Sequence, residues 1–290
     1  MSRVTVVGLP IFTLASYAGM RLAPSGLREA GLVPALGPAA RDSGDAGIPG
    51  LERDTERSGV KNLDHFRLAS DRICAKVGEI RSDGEVLCVG GECSLVLGSL
   101  AGLSRIFRGR PGMLWMDSHG DFNTPESSPS GYIGGMCLAM AAGRGPKLGD
   151  GVETRRPLIK EESLVHLGSR ALDREEERMM KSSGMRMVPM AEVRRRGVRD
   201  LAGEVSRHLA DRADWLVLHL DVDVIDPTLI PAVNYPTPKG LTIEEVLELA
   251  RAVRATGKLR AVEVAAYNPA FDTDGSSAVS IVGLLTRILG

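Results

Sequence analysis

Residues 115–131 read WMDSHGDFNTPESSPSG. Asp117, His119 and Asp121 stand here at i, i+2 and i+4, and side chains at those spacings on an extended backbone point the same way. Two carboxylates and an imidazole converging on one point are hard to keep together without a cation to share. The preceding MLW is a short apolar run that reads as a buried parallel strand. The Asn, Thr, Pro, Ser and Gly residues after the acids read as a loop. A strand that ends in an acidic, histidine-containing turn is where an open α/β sheet places a metal site.

A second cluster repeats the pattern. Residues 215–227, WLVLHLDVDVIDP, form another apolar strand that ends in Asp221, Asp223 and Asp226. An isolated Asp more often caps a loop or helix, but DxHxD and DxD, each behind an apolar strand, point to metal ligation. Carboxylates from two strand ends with one imidazole make an oxygen-rich site suited to Mn²⁺ or a similar hard divalent ion.

With 290 residues the chain is long enough for one large α/β domain spanning 1–290. Its 36 basic residues balance 37 acidic ones, which argues against a dedicated nucleic-acid binder. Cys74, Cys88, Cys93 and Cys137 show no CxxC spacing, and Cys74 and Cys88 read as small core residues. No apolar run approaches the length of a membrane span, and the first residues lack a signal-peptide pattern. A cytoplasmic protein with no membrane partner is therefore expected.

Around the two clusters, strands are expected at 3–8, 85–91, 163–168, 186–190 and 259–269. Helices are expected within 19–32, 60–81, 94–106, 132–143 and 199–212, from Thr242 onward, and at the C-terminus. Residues 33–59 read as an irregular surface segment, Ser82-Asp83-Gly84 as a turn, and Pro227 to Leu241 as a long loop. Gly90 and Gly91 mark a strand-to-helix turn where backbone approaches closely, and Cys93 falls level with the acidic clusters. Asp173, before the charged run REEER, reads as a helix N-cap or a ligand-binding carboxylate. Alternation of strands and helices implies a mostly parallel sheet covered on both faces.

Taken in order, these motifs resemble the arginase (ureohydrolase) family, which includes arginase, agmatinase and formimidoylglutamase. GGECS at 90–94 resembles the family's GGDHS, and DSHGDFNTPESSPSG resembles its DAHxDxNTxxxSxSG. DVDVIDP, the later PTPKGLT and the NP of the last strand complete the series. Carried across, the resemblance implies one Mn²⁺ held by Asp117, His119, Asp221 and Asp223, and another held by Cys93, Asp117, Asp121 and Asp221. Two cations lower the pKa of water between them, so the implied reaction is hydrolysis of a non-peptide C–N bond in a guanidino or amidino compound. His119 and Asp121 are the implied catalytic pair, with Asp121 orienting the nucleophile and passing a proton to the leaving amine. Asn123 and Ser130 match the positions that bind a substrate α-carboxylate, and Asp173 the one that receives an α-amino group. Those three favour arginine or a modified arginine, such as an N-hydroxylated one, over a decarboxylated amine. The resemblance also implies a three-layer α/β/α sandwich with a mostly parallel sheet of about eight strands, and a homo-oligomer, trimer or hexamer.

The chain departs from the family pattern at four points. Cys93 replaces a metal-ligating His, which implies that its ion is weaker, absent or a softer metal. Tyr132 and Gly134 stand where arginases have Asn and a proton-shuttling His. Ala266 falls where a guanidinium-binding Glu lies, and Glu263, the nearest substitute, is expected on the opposite face of its strand. The alternative reading is therefore a catalytically weak or inactive relative serving as a binding or subunit protein. Retention of Asp117, His119, Asp121, Asp221 and Asp223 together favours an enzyme.

Overall fold

A computed structural model describes residues 3–57, 59–81 and 83–290; Ser82, the first residue of the turn expected at 82–84, lies outside them. The main sheet has eight strands: β1 (Val4–Leu9), β2 (Arg41–Asp45), β3 (Glu85–Gly90), β4 (Pro111–Met116), β5 (Leu164–Leu167), β6 (Arg186–Val188), β7 (Trp215–Asp221) and β8 (Leu259–Ala265). Their spatial order is β2-β1-β3-β8-β7-β4-β5-β6, and every neighbouring pair is parallel. The last two strands thus enter the middle of the sheet, between β3 and β4.

Strand alternation divides the apolar residues into two cores, one on each face. Val6, Leu87, Leu114, Leu218 and Val262 point to one face. There they meet α4 (Val198–Arg212), α5 (Ile243–Ala255) and α6 (Ser276–Leu289). Val7, Cys88, Trp115, Val217 and Ala261 point to the other, against α1 (Leu63–Gly78) and α2 (Leu95–Ile106). The remaining long helix, α3 (Arg174–Ser182), follows β5 and begins with Asp173 at its N-cap. Three layers result, as the alternating pattern predicts. Among the described residues no helix is long and apolar enough to cross a membrane.

Strand β2 overturns the reading of 33–59 as irregular. Its sequence RDSGD has no apolar alternation because it is an edge strand and mostly exposed, so nothing in its composition reports the pairing with β1. Residues 32–35 are helical and Glu56–Arg57 pairs with Val60–Lys61. Residues 132–143 form a 3₁₀ turn, Ile133–Met136, running into a short helix, Cys137–Ala141.

Helices α1 and α2 pack so closely that a Cβ added at Gly98 would lie 2.5 Å from the Ser70 carbonyl oxygen and 2.6 Å from Ile73 Cβ. Gly98→Ala gains helix propensity of about 1 kcal/mol but forces two backbones apart. A net loss of roughly 1–3 kcal/mol is expected, read as a fall of several degrees in Tm; a rise would show that the helices tolerate separation.

Candidate active site

The carboxyl ends of β3, β8, β7 and β4 lie side by side, and the residues that follow them build one cavity of about 450 Å³. Asp117 follows β4, Asp221 closes β7, Cys93 follows β3, and Ala266 follows β8. In both acidic clusters the first carboxylate folds the chain back on itself. Asp117 Oδ1 accepts the His119 N–H at 2.7 Å, and Asp221 Oδ1 accepts the Asp223 N–H at 2.7 Å. Convergence therefore comes from Asx-type turns and not from the strand pleat expected for i, i+2 and i+4, because β4 ends at Met116. Asp121 adopts a left-handed φ of 48°, which aims its carboxylate into the cavity by a route of its own.

Two sets of side chains come close enough to share an ion: Cys93, Asp117 and Asp221, and Asp117, His119 and Asp223. Cys93 Sγ donates to Asp221 Oδ2 at 2.9 Å, and His119 Nδ1 lies 3.1 Å from Asp223 Oδ2. Asp121 lines the same cavity outside both sets, with Cys137 Sγ 3.5 Å from its Oδ2. Asp226 is not part of the cluster. It caps the loop that follows, accepting from Thr228 and from the Gly240 N–H.

The electrostatics carry a surplus of buried negative charge. Burial, then the neighbouring carboxylates, push Asp121 and Asp221 well above the usual carboxylate range. Burial, then Asp221, Asp117 and Asp121, push the Cys93 thiol up as well. Burial alone would lower His119, but hydrogen bonds to Asp117 and Asp223 push it up to about 12. Its imidazolium then supplies the positive charge that the carboxylates need. Divalent cations would relieve the same repulsion, and the thiolate, imidazole and carboxylate donors fit them.

Asn123, Ser130 and Asp173 line the same cavity. Asn123 Nδ2 donates to Asp173 Oδ2 at 3.2 Å, and Ser127 Oγ donates to Asn123 Oδ1 at 2.8 Å. Ser130 Oγ accepts the Tyr132 N–H at 3.2 Å. Glu176, from the first turn of α3, faces this end; burial pushes it up to about 7, while Phe122 and Asp173 backbone N–H groups bind it.

Several residues here escaped the sequence reading. Glu92 is 1% exposed and accepts from Thr13 N and Thr13 Oγ1, both at 2.7 Å; burial pushes it up to about 7. The Tyr132 phenol lies against Gly134, where an added Cβ would come within 2.3 Å of Tyr132 Cζ. The two departures at 132 and 134 are thus one change: the ring fills the room a larger side chain at 134 would take. Tyr17 packs edge-to-face on Tyr132 and on Tyr235, and Tyr235 on His119. Arg170 binds the carbonyls of Asp223 and Thr237, each at 2.7 Å, and so ties the 227–241 loop to the acidic turn. Their signals were long-range packing, which spacing along the chain does not carry. Glu263 lies away from the cavity lining, bound to His219 and Ser99, as its strand parity predicts.

Comparison with known proteins fits this geometry. A model of the arginase family matches residues 2–290. The chain belongs to the arginase family. It is 33% identical to an arginase of Bacillus caldovelox over 297 aligned positions, covering 100% of this chain and 99% of that protein. It is 31% identical to an arginase of Bacillus subtilis, covering 99% and 97%. The solved native structure of the Bacillus caldovelox arginase superimposes with a TM-score of 0.92 at 32% identity, covering 100% and 99%. The α/β fold and the eight-stranded parallel sheet are those of arginases.

Two measurements check the site. Glu92 and Glu176 each bind their proton more tightly folded than unfolded, so their contribution to stability is full below about 4.5 and lost as pH rises through about 7. His119 adds to this slope above 6.5; His166, lowered to about 4 by burial, opposes it at lower pH. Metal-free protein is expected to melt at a higher temperature at pH 5.5 than at pH 8, with Mn²⁺ restoring stability at pH 8. A flat profile would contradict the charge surplus. Separately, Gly134→His should destabilise the chain by about 1–3 kcal/mol, and adding Tyr132→Asn should recover most of that loss; additive effects would show that the ring and residue 134 do not compete.

Proposed function

We propose that this arginase-family protein hydrolyses the guanidino group of arginine or a modified arginine, using two Mn²⁺ ions. Membership of the family makes it a metal-dependent amidinohydrolase. The observation that supports the finer reading is the cavity itself, which has the acidic turns at one part and Asn123, Ser130 and Asp173 at another. A substrate with an α-carboxylate and an α-amino group would use Asn123, Ser130 and Asp173; a decarboxylated amine would leave the first two without a partner.

In this reading Asp117, His119, Asp221 and Asp223 hold one ion, and Cys93, Asp117, Asp121 and Asp221 hold the other. When bound, the ions supply a lowered water pKa and thus a nucleophile at neutral pH. Asp121 Oδ orients that nucleophile and moves a proton to the leaving amine. The buried floor keeps the carboxylates in low dielectric, which strengthens their hold on cations. Cys93 must lose its proton to ligate, so its ion is the more easily lost. Ala266 offers no carboxylate to a guanidinium, Glu263 is turned into the sheet, and Glu92 is already engaged with Thr13. That favours a modified guanidino group over the strongly basic one of free arginine.

Protein grown with Mn²⁺ is expected to retain divalent metal, and chelation to remove the ion beside Cys93 first. A urea-release screen over guanidino compounds should then find the substrate. Asp173→Ala should raise KM at least tenfold with a smaller effect on kcat; an unchanged KM removes the amino-acid reading, and protein without metal removes the enzyme reading.

A further inference from the structure

Behind the acidic turns, on the sheet face covered by α1 and α2, a row of polar side chains crosses the central strands. In register, Glu263 on β8 neighbours His219 on β7, and His219 neighbours Trp115 on β4. Ser99 on α2, Glu263, His219 and Trp115 are all fully buried. None of them lines the cavity.

The row is connected from end to end. Ser99 Oγ donates to Glu263 Oε1 at 2.5 Å, and His219 Nδ1 lies 2.7 Å from Glu263 Oε2. A carboxylate only accepts, so Nδ1 carries the proton and faces the acid. The His219 ring lies flat on the Trp115 indole, with centroids 3.7 Å apart and planes within 3°. The indole N–H in turn donates to Asp117 Oδ2 at 3.0 Å. Asp117 Oδ1 already accepts the His119 N–H, so each oxygen of this carboxylate has one fixed donor.

A buried acid–imidazole pair is a weak source of stability, because desolvation takes back most of the attraction. Its value here is in orientation. Among the described residues His219 Nε2 has no hydrogen-bond partner, so the bond to Glu263 and the stacked indole are the directional contacts that set the imidazole plane. That plane fixes the rotation of the indole, and the indole aims its N–H at Asp117. We infer that Glu263 and His219 are positioning residues that act through Trp115 to orient the Asp117 carboxylate toward the divalent ions. The inference rests on Asp117 being a metal ligand, as in the proposed function. Partners that hydrogen-bond a ligating carboxylate typically change metal affinity 10–100-fold when removed.

The test is a double-mutant cycle on the full chain, with Mn²⁺ affinity read from the electron paramagnetic resonance of free Mn²⁺ and geometry read from the d–d absorption of bound Co²⁺. Trp115→Phe keeps a ring beneath His219 and removes the N–H donor along with part of the indole volume; Glu263→Gln keeps shape and removes charge. Each is expected to weaken Mn²⁺ binding roughly tenfold and to alter the Co²⁺ band. The double variant is expected to bind no more weakly than Trp115→Phe alone, because Glu263 then has no route to Asp117. Additive losses, near a hundredfold together, or an unchanged affinity in Trp115→Phe, would overturn the inference. Should Trp115→Phe fail to melt cooperatively, His219→Phe replaces it in the cycle, and a Glu263→Gln effect on Mn²⁺ affinity that persists there overturns the inference equally. Wild-type protein that binds neither ion overturns the proposed function and this inference with it; wild-type binding with additive losses overturns this inference alone.

Discussion

Like charge held at close quarters is the constraint around which this molecule is arranged. Asp117 and Asp221 end neighbouring strands, and Asp223, Asp121 and the Cys93 thiol crowd the same floor. No apolar packing makes such a cluster favourable; a buried carboxylate costs several kcal/mol unless it is paired or ligated. Stability elsewhere must hold it in place, and the two cores on either face of the sheet do so. Fully buried apolar side chains, among them Leu216, Val217, Leu218 and Leu220 on β7 and Met113, Leu114 and Met116 on β4, each contribute about 1.5–3 kcal/mol and anchor these strands on both faces up to the residue before each acid.

The far wall of the cavity shows how a family site can be rebuilt without disturbing that floor. Tyr132 occupies the volume beside Gly134, and Tyr17 and Tyr235 extend the aromatic edge to His119. Aromatic rings bring large contact area and little charge. Together with Ala266 they leave this part of the cavity largely uncharged. Asn123, Ser130, Asp173 and Glu176 line another part of the same cavity with polar groups. One cavity thus joins a largely uncharged part to a polar one.

Much of this was legible along the chain because the central strands are apolar on both faces and each stops at a chemically distinct residue. WLVLHLD and MLWMD announce a strand and its end in the same few letters. The acidic candidates were read from that coincidence and Cys93 from the family resemblance; among the described residues the structure brings Cys93, Asp117, His119, Asp221 and Asp223 together in two close sets and leaves Asp121 beside them in the cavity. What stayed hidden depends on partners remote in sequence. β2 has no pattern of its own and exists because β1 offers an edge. Glu92 carries no signal of its own along the chain, because Thr13, which closes over it, lies 79 residues away. The pleat argument for Asp117, His119 and Asp121 reached a cluster through the wrong geometry, since short-range hydrogen bonding by Asp took over where the strand stopped.

The strand order also governs how such a centre comes into being. Since β7 and β8 occupy the gap between β3 and β4, the two carboxylates that face each other across that seam belong to segments roughly a hundred residues apart in the chain, a separation that makes closure slow. The repulsion in this cluster therefore arises only when β4 and β7 are paired, with apolar packing on both faces of the seam to hold the acids together.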